Sequence, residues 1–328
     1  MKKSLLIFLG IILLFGCKKD DVNNITTPVP TSPENLLGSA VSSSKINLSW
    51  TDRSTNETGF KIERKLQNGI FLQVGTVASN ITTFTDTGLN ASTIYIYRVF
   101  SYNSGGNSPI YSNELTVTTN SLLPIITIGN QKWTTTNLDV STYSDGTPIM
   151  QVADQSVLDT LTTGAWCYYN NSTDNGKIYG KLYNWYAVKG IWNQASITNV
   201  NIRKKLAPEG YHMPTADEWS ILINHLGGFG VAGGKMKTVG TTLWLSPNAG
   251  ATNESGFSAI PGGHFITSSG FNDLTQIAIW WSSDDATVNN PNGNPKNAIS
   301  FGTIYFYADA YKLNYEKTNC QYVRCLKD

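Results

Sequence analysis

The run Thr215-Ala-Asp-Glu-Trp-Ser-Ile-Leu-Ile-Asn-His-Leu226 constrains the fold of this chain more than any other stretch. Thr215 and Glu218 have the spacing of a capping box, in which two side chains satisfy backbone N–H groups that a helix start leaves without partners. Trp219, Leu222, Ile223 and Leu226 follow at i, i+3, i+4 and i+7, which places them on one apolar stripe. Gly227-Gly228 ends the run, because glycine takes the left-handed conformation at a helix end without strain. The pattern predicts an amphipathic helix with Trp219 on its buried face.

Around this helix the chain divides in two. From Pro33 short alternating segments recur between turn residues, as a β-sandwich requires: Ile46–Trp50, Phe60–Arg64, Phe71–Val74, Thr83–Asp86 and Tyr97–Phe100. Alternation turns Trp50 inward, and Asn103-Ser-Gly-Gly106 closes a turn. Asn120–Pro124 reads as a hinge, since proline lacks an N–H and extends the residue before it, which gives a linker over 120–125. The second domain, 126–328, opens with a hairpin around Gly129-Asn130. Lys181–Val188 reads as a short helix, and Gly256–Ile260, Ile277–Trp280, Ala298–Phe301 and Tyr322–Arg324 are candidate strands. Two short helices beside a small antiparallel sheet with long loops describe an α+β domain.

The N-terminus reads as an address. Lys2-Lys3 precede an apolar run, Leu5–Phe15, too short to span a bilayer. The run ends at Leu14-Phe-Gly-Cys17, which resembles a bacterial lipobox. That resemblance implies a signal peptide over 1–16, cleavage before Cys17 and a lipid on its thiol that anchors the protein in a membrane. Lys18-Lys-Asp-Asp21 resembles the charged export signals of lipoproteins in Bacteroidetes-type bacteria, which implies an outer-membrane protein exposed at the cell surface. Residues 17–32, rich in Asn, Thr and Pro, lack apolar groups for a core and read as a tether.

Both domains carry family resemblances. Residues 33–119 resemble a fibronectin type III domain, with Trp50 as its core tryptophan and Tyr95, six residues after Leu89, as its tyrosine-corner residue. Tyr179–Val188, Ala207–Thr215, Asn253–Gly263, Trp280-Trp-Ser-Ser283 and Val323–Asp328 together resemble the Fibrobacter succinogenes major paralogous domain. This second resemblance implies a C-type-lectin-like fold, similar also to the formylglycine-generating, sulfatase-modifying enzymes. The expected fold class is therefore multidomain: an all-β fibronectin type III sandwich followed by an α+β C-type-lectin-like domain.

Composition narrows the function. Only 14% of residues are charged and the net charge is +1, so there is no basic footprint for nucleic acid. Beyond Cys17 the cysteines are Cys167, Cys320 and Cys325, which are disulfide candidates in an exported chain. A Cys167–Cys325 bridge would close a loop of about 160 residues and be worth roughly 2–4 kcal/mol; Cys320–Cys325 is the competing pair. The same Cys320 and Cys325 have a spacing similar to the copper-binding pair of formylglycine-generating enzymes, and soft thiolates select Cu(I). His212, His225 and His264 show no metal-ligand spacing, and no metal or other cofactor is expected from them. Asp174, Asn175, Asp284 and Asp285 could supply oxygens to Ca2+, although Asx- and Gly-rich loops are also ordinary turns. Trp166, Tyr168, Trp192, Trp244 and Trp281 are candidate ligand contacts, because aromatic faces stack on sugar rings and anchor interfaces. The reading is a lipid-anchored surface protein that binds a glycan or another protein; the alternatives are a relative of the formylglycine-generating oxidases and a structural envelope component.

Overall fold

The computed structural model describes residues 27–288 and 292–328; the expected signal peptide, Cys17 and the start of the tether lie outside them. The first domain consists of β1 (Glu34–Ala40), β2 (Lys45–Thr51), β3 (Gly59–Leu66), β4 (Leu72–Ala78), β5 (Thr83–Thr87), β6 (Ile94–Asn103), β7 (Gly106–Asn107) and β8 (Leu115–Thr118). One sheet has the order β1-β2-β5 and the other β4-β3-β6-β7, with β8 also paired to β6. Period-two alternation turns Ile46, Leu48 and Trp50 of β2 toward Phe60 and Ile62 of β3 and Tyr97 and Val99 of β6. Trp50 meets Phe60 edge-on at 5.5 Å. The Tyr95 hydroxyl accepts the Asn90 N–H at 3.0 Å, the corner contact expected of it.

The end of the expected tether is not free. Asn103 and Asn56 side-chain amides donate to the Pro28 carbonyl at 2.8 and 3.0 Å, and Ser101 Oγ donates to the Thr31 carbonyl at 2.6 Å. Segment 27–32 therefore lies along the sandwich, because its extended, proline-rich backbone presents carbonyls that side chains at the sheet end can reach.

The second domain contains β9 (Ile125–Ile128), β10 (Gln131–Thr134), β11 (Met150–Gln151), β12 (Ala165–Cys167), β13 (Leu182–Asn184), β14 (Tyr211–His212), β15 (His264–Ile266), β16 (Gly270–Asn272), β17 (Ile277–Asp285), β18 (Asn297–Ile304), β19 (Ala310–Glu316), β20 (Cys320–Gln321) and β21 (Leu326–Lys327). Its helices are α1 (Gln155–Leu158), α2 (Thr173–Tyr179), α3 (Trp185–Val188), α4 (Ala195–Thr198), α5 (Ala216–His225) and α6 (Phe229–Met236). Three sheets result, ordered β14-β21-β10-β9, β11-β12-β13-β20-β15-β16 and β17-β18-β19.

Helix α5 forms where its sequence places it. Thr215 Oγ1 accepts the Glu218 N–H at 3.2 Å, and Glu218 Oε2 accepts the Thr215 N–H at 2.8 Å. Asp284 of β17 accepts the Ala216 N–H at 2.8 Å and ties the helix start to the sheet. The buried Trp219 ring then stacks on Phe301 at 5.5 Å and on Trp280 at 5.7 Å, and lies 4.6 Å from Trp133. Lys181–Val188 differs from the expected single helix: Leu182–Asn184 is a strand and only Trp185–Val188 is helical. The cause is Asn184, whose Oδ1 accepts the N–H of Ala187 as a helix cap and that of Ala165 across the sheet, both at 3.0 Å. Gly256–Ile260 is not a strand either; Ala259 makes one isolated bridge to Lys237, and Tyr322 one to Trp280.

Alternation along β12 and β13 creates two cores on opposite faces of the six-stranded sheet. Cys167 and Leu182 belong to the Trp219 core, while Trp166 and Tyr183 belong to a second one with Trp185 and Trp281. Arg324 is fully buried with no carboxylate partner among the described residues: its guanidinium donates to Asn137 Oδ1 at 2.8 Å and to the carbonyls of Thr134, Phe257 and Ser258 at 2.7, 3.2 and 3.1 Å. Burial lowers its pKa to about 9, which leaves it charged at neutral pH. The two domains touch through a Lys45–Glu209 ion pair at 2.5 Å and the Asn47 amide on the Asp145 carbonyl at 3.1 Å. Among the described residues no helix is long and apolar enough to cross a membrane.

Candidate functional site

Between β18 and β19 the chain reads Tyr305-Phe306-Tyr307-Ala308-Asp309. Three consecutive aromatics cannot all face inward, since successive side chains at a strand end point to opposite sides. Tyr305 packs against the Trp219 core. Phe306 and Tyr307 remain 53% and 52% exposed. Adjacent rings meet edge-on, with centroids 5.7 Å apart for Tyr305–Phe306 and 5.3 Å for Phe306–Tyr307.

This tip is held from beneath. Lys237 follows α6, is fully buried, and its ammonium donates to the carbonyls of Ala249, Ile304 and Tyr307 at 2.8, 3.0 and 2.8 Å. Burial lowers its pKa to about 8, against an opposing pull from Asp309. The Ala249 N–H donates to the Tyr305 carbonyl at 2.8 Å, and the Gly234 N–H to the Ala308 carbonyl at 2.7 Å. The glycines of α6 permit this approach: a Cβ on Gly233 would come within 2.0 Å of the Asp309 oxygen, and one on Gly234 within 2.3 Å of the Gly250 oxygen. The Tyr311 hydroxyl donates to Asp309 Oδ2 at 3.3 Å, so a carboxylate and a phenol stand beside the rings. Chemically, the tip offers pre-ordered aromatic faces for stacking, with polar groups at the edge for hydroxyls.

The aromatic residues selected from sequence fall elsewhere. Trp166, Trp244 and Trp281 are 6%, 1% and 0% exposed, which corrects their reading as surface contacts. Each indole N–H is used inside the domain, on the Ile149 carbonyl at 3.1 Å, Thr238 Oγ1 at 3.0 Å and the Tyr183 carbonyl at 2.8 Å. Tyr168 is half-buried and packs edge-on against Trp166 at 5.1 Å. Trp192 alone among the five is open to solvent, and the Lys204 ammonium stands 4.9 Å from its ring centroid. Phe306 was missed; the signal for it was the aromatic triplet itself.

The three late cysteines are buried free thiols, which corrects the expected bridge to Cys325. Cys325 lies in the Trp281 core, whereas Cys320 and Cys167 lie in the Trp219 core. The Cys320 thiol rests against that of Cys167, yet β13 runs between their strands. Two strand spacings, about 9–10 Å, exceed the roughly 7 Å Cα limit of a disulfide. Burial raises the Cys325 thiol to about 12 and the Cys320 thiol well above its usual range, so neither is held as a thiolate. The Cys320–Cys325 copper pair of the oxidase alternative is split between the two cores.

The calcium candidates are engaged in local structure. Asp174 pairs with Lys177 at 2.8 Å, the Asn175 amide donates to the Tyr169 carbonyl at 3.1 Å, Asp284 caps α5, and Asp285 accepts from Thr287 Oγ1 at 2.5 Å. No three His, Cys, Asp or Glu side chains gather as a metal site among the described residues. His212 sits between Asp328 at 2.6 Å and Glu218 at 2.9 Å. Burial alone would lower its pKa, and the two carboxylates reverse that and raise it.

Comparison with known proteins fits this anatomy. The fibronectin type III profile matches residues 31–118. The chain is 40% identical over 95 residues to an alpha-amylase of Niallia circulans, spanning 28% of this chain and 7% of that protein. It is 38% identical over 102 residues to exoglucanase B of Cellulomonas fimi, spanning 30% of this chain and 9% of that enzyme. The chain thus covers under a tenth of either relative's length. Among solved structures, the FN3 domain of human collagen XX is 28% identical, with a TM-score of 0.25, covering 27% of this chain and 91% of that one. The profile of the Fibrobacter succinogenes major domain matches residues 126–327, well over half of the chain, and the protein belongs to that family, with a fibronectin type III domain in front.

Proposed function

We propose that this protein is a lipid-anchored, surface-exposed polysaccharide-binding protein of the outer membrane, in which a lectin-like second domain presents its aromatic tip to glycan and the fibronectin type III domain acts as a spacer. The observation that carries the reading is the pair of half-exposed rings, Phe306 and Tyr307, on a backbone pinned by the buried Lys237 ammonium. Exposing two adjacent large aromatic faces is costly in a domain whose tryptophans, Trp192 apart, are all buried, and a fixed platform loses little entropy on binding. The relatives named alpha-amylase, exoglucanase and chitinase support a polysaccharide setting, although this chain spans only 7%, 9% and 17% of them. The near-neutral charge argues against nucleic acid as the partner. The membrane partner rests on Cys17, and Cys17→Ala should release the protein from membranes.

A glycan array probed with residues 27–328, which keep the segment docked on the sandwich, tests the binding reading. Saturable binding to glucan or chitin oligosaccharides that is lost in Phe306→Ala/Tyr307→Ala supports it. Absence of saturable binding to any glycan overturns it in favour of a structural envelope component.

A further inference from the structure

A cavity of about 290 Å3 opens between the end of α3, the segment 203–207, β14 and Asp328. None of its lining residues belongs to the aromatic tip or to loop 237–251. Its floor is apolar, with Val188 and Leu206 buried there. Its rim is cationic. Arg203 is fixed by donating Nε to the Ser196 carbonyl at 3.0 Å and Nη2 to the Ile197 carbonyl at 2.8 Å, which leaves Nη1 without an acceptor among the described residues. Lys204 is neutralised by Asp145. Lys189 and Lys205 have no carboxylate partner among the described residues; Lys189 stands 5.7 Å from the Trp185 ring, and Lys205 is exposed. Asp328 also lines the cavity, and its side-chain carboxylate is already held by His212.

Unpaired cations around a partly enclosed, apolar-floored pocket maintain a positive potential that water screens less than on an open surface. A carboxylate there gains charge-assisted hydrogen bonds from Arg203, Lys189 and Lys205. The volume and floor call for an organic body on that carboxylate, since a bare inorganic ion would leave the apolar wall facing water. Trp192, 38% exposed, stands next to the cationic segment with the Lys204 ammonium over its ring, 4.9 Å from the centroid. We propose that this cavity binds a carboxylate-bearing sugar, a uronic acid unit of an acidic polysaccharide, at a site separate from the aromatic tip.

Calorimetric titration of residues 27–328 with tri-galacturonate, and of Phe306→Ala/Tyr307→Ala with neutral maltotriose as the uncharged control once the tip is removed, tests this. The expected result is binding of the acidic trisaccharide that weakens at least roughly ten-fold in Lys189→Gln/Lys205→Gln. The same binding should weaken between about 50 and about 500 mM salt, and should persist in Phe306→Ala/Tyr307→Ala. That last variant separates failure of this site from failure of the tip. Lys205→Gln alone, at an exposed position, serves if the double variant does not fold, and should weaken binding in the same direction. The proposal is overturned if tri-galacturonate does not bind, or if the lysine variants bind it as the parent does. It is likewise overturned if acetate, phosphate or an acidic peptide binds equally well, which would mark a general anion site.

Discussion

Replacing Trp219 by alanine probes how the second domain is held together. The ring is fully buried and touches Trp133, Phe257, Trp280 and Phe301 at centroid distances of 4.6, 5.9, 5.7 and 5.5 Å. Truncating a buried tryptophan costs about 3–5 kcal/mol through lost transfer energy and the cavity left behind. Each aromatic pair adds roughly 0.5–1.5 kcal/mol beyond burial, which places this site at the upper end of that range. Its Nε1 has no hydrogen-bond partner among the described residues. Trp219→Phe therefore removes an orphan donor while keeping a stacking face, and should recover at least half of the loss. The fibronectin type III core, built around Trp50 and Tyr97, shares no residue with this cluster. Differential scanning calorimetry of Trp219→Ala should accordingly lower one transition and leave the other in place, and urea unfolding followed by far-UV circular dichroism should give the size of the loss. A cost below about 1 kcal/mol, or both transitions moving together, would refute the claim of one aromatic core organised by α5.

Lys237→Met should strand three buried carbonyls, at about 1–3 kcal/mol for each left unsatisfied, and hydrogen exchange should show protection falling across 304–309; unchanged protection there would mean that the ammonium does not pin the tip. Because the folded pKa of Lys237 is lowered to about 8 from 10.5, the unfolded chain holds more protons between those values and stability should rise with pH across that window; the rise, read as the difference between parent and Lys237→Met melts, would be missing if the pKa is not lowered. His212 behaves oppositely: its raised folded pKa gives stabilisation that is complete below the unfolded value near 6.5 and lost as pH rises through the folded one, and Asp328→Asn should shrink that dependence in thermal melts. Cys167, Cys320 and Cys325 should each react with an aromatic disulfide reagent only after unfolding, and intact mass should equal that of the three free thiols; a mass two hydrogens lower would show a bridge.

Local rules with a single solution were legible from the chain. The capping box, the Trp219 stripe, the Gly129 hairpin and the tyrosine corner at Tyr95 all appear as read, because each is decided by neighbours in sequence. The helix expected over Lys181–Val188 failed because Asn184 serves the distant Ala165 N–H as well as its own helix start, a tertiary demand that periodicity does not carry. The aromatic candidates failed for a related reason. Tryptophans 166, 244 and 281 look exposed in loop-rich sequence, but each finds an internal acceptor for its indole N–H, and nothing local announces that acceptor. Neither candidate bridge to Cys325 forms, because Cys325 stands five positions after Cys320, an odd spacing that places it in the core opposite to that of Cys320 and Cys167. The tip could have been found, since Tyr305-Phe306-Tyr307 exceeds what one face of a strand end can bury. Its support by Lys237 could not, because the ammonium gathers carbonyls from the tip itself and from Ala249, a segment far from it in sequence.

The central claim is that Phe306 and Tyr307 form a glycan-binding platform. It is tested most directly by calorimetric titration of the parent and of Phe306→Ala/Tyr307→Ala with one soluble neutral oligosaccharide of glucan or chitin. Truncating a binding hot spot costs about 2 kcal/mol or more, so the account predicts affinity at least roughly 30-fold weaker in the variant, with an unchanged melting temperature because both rings lie outside the core. Equal affinities in two equally stable proteins would contradict it.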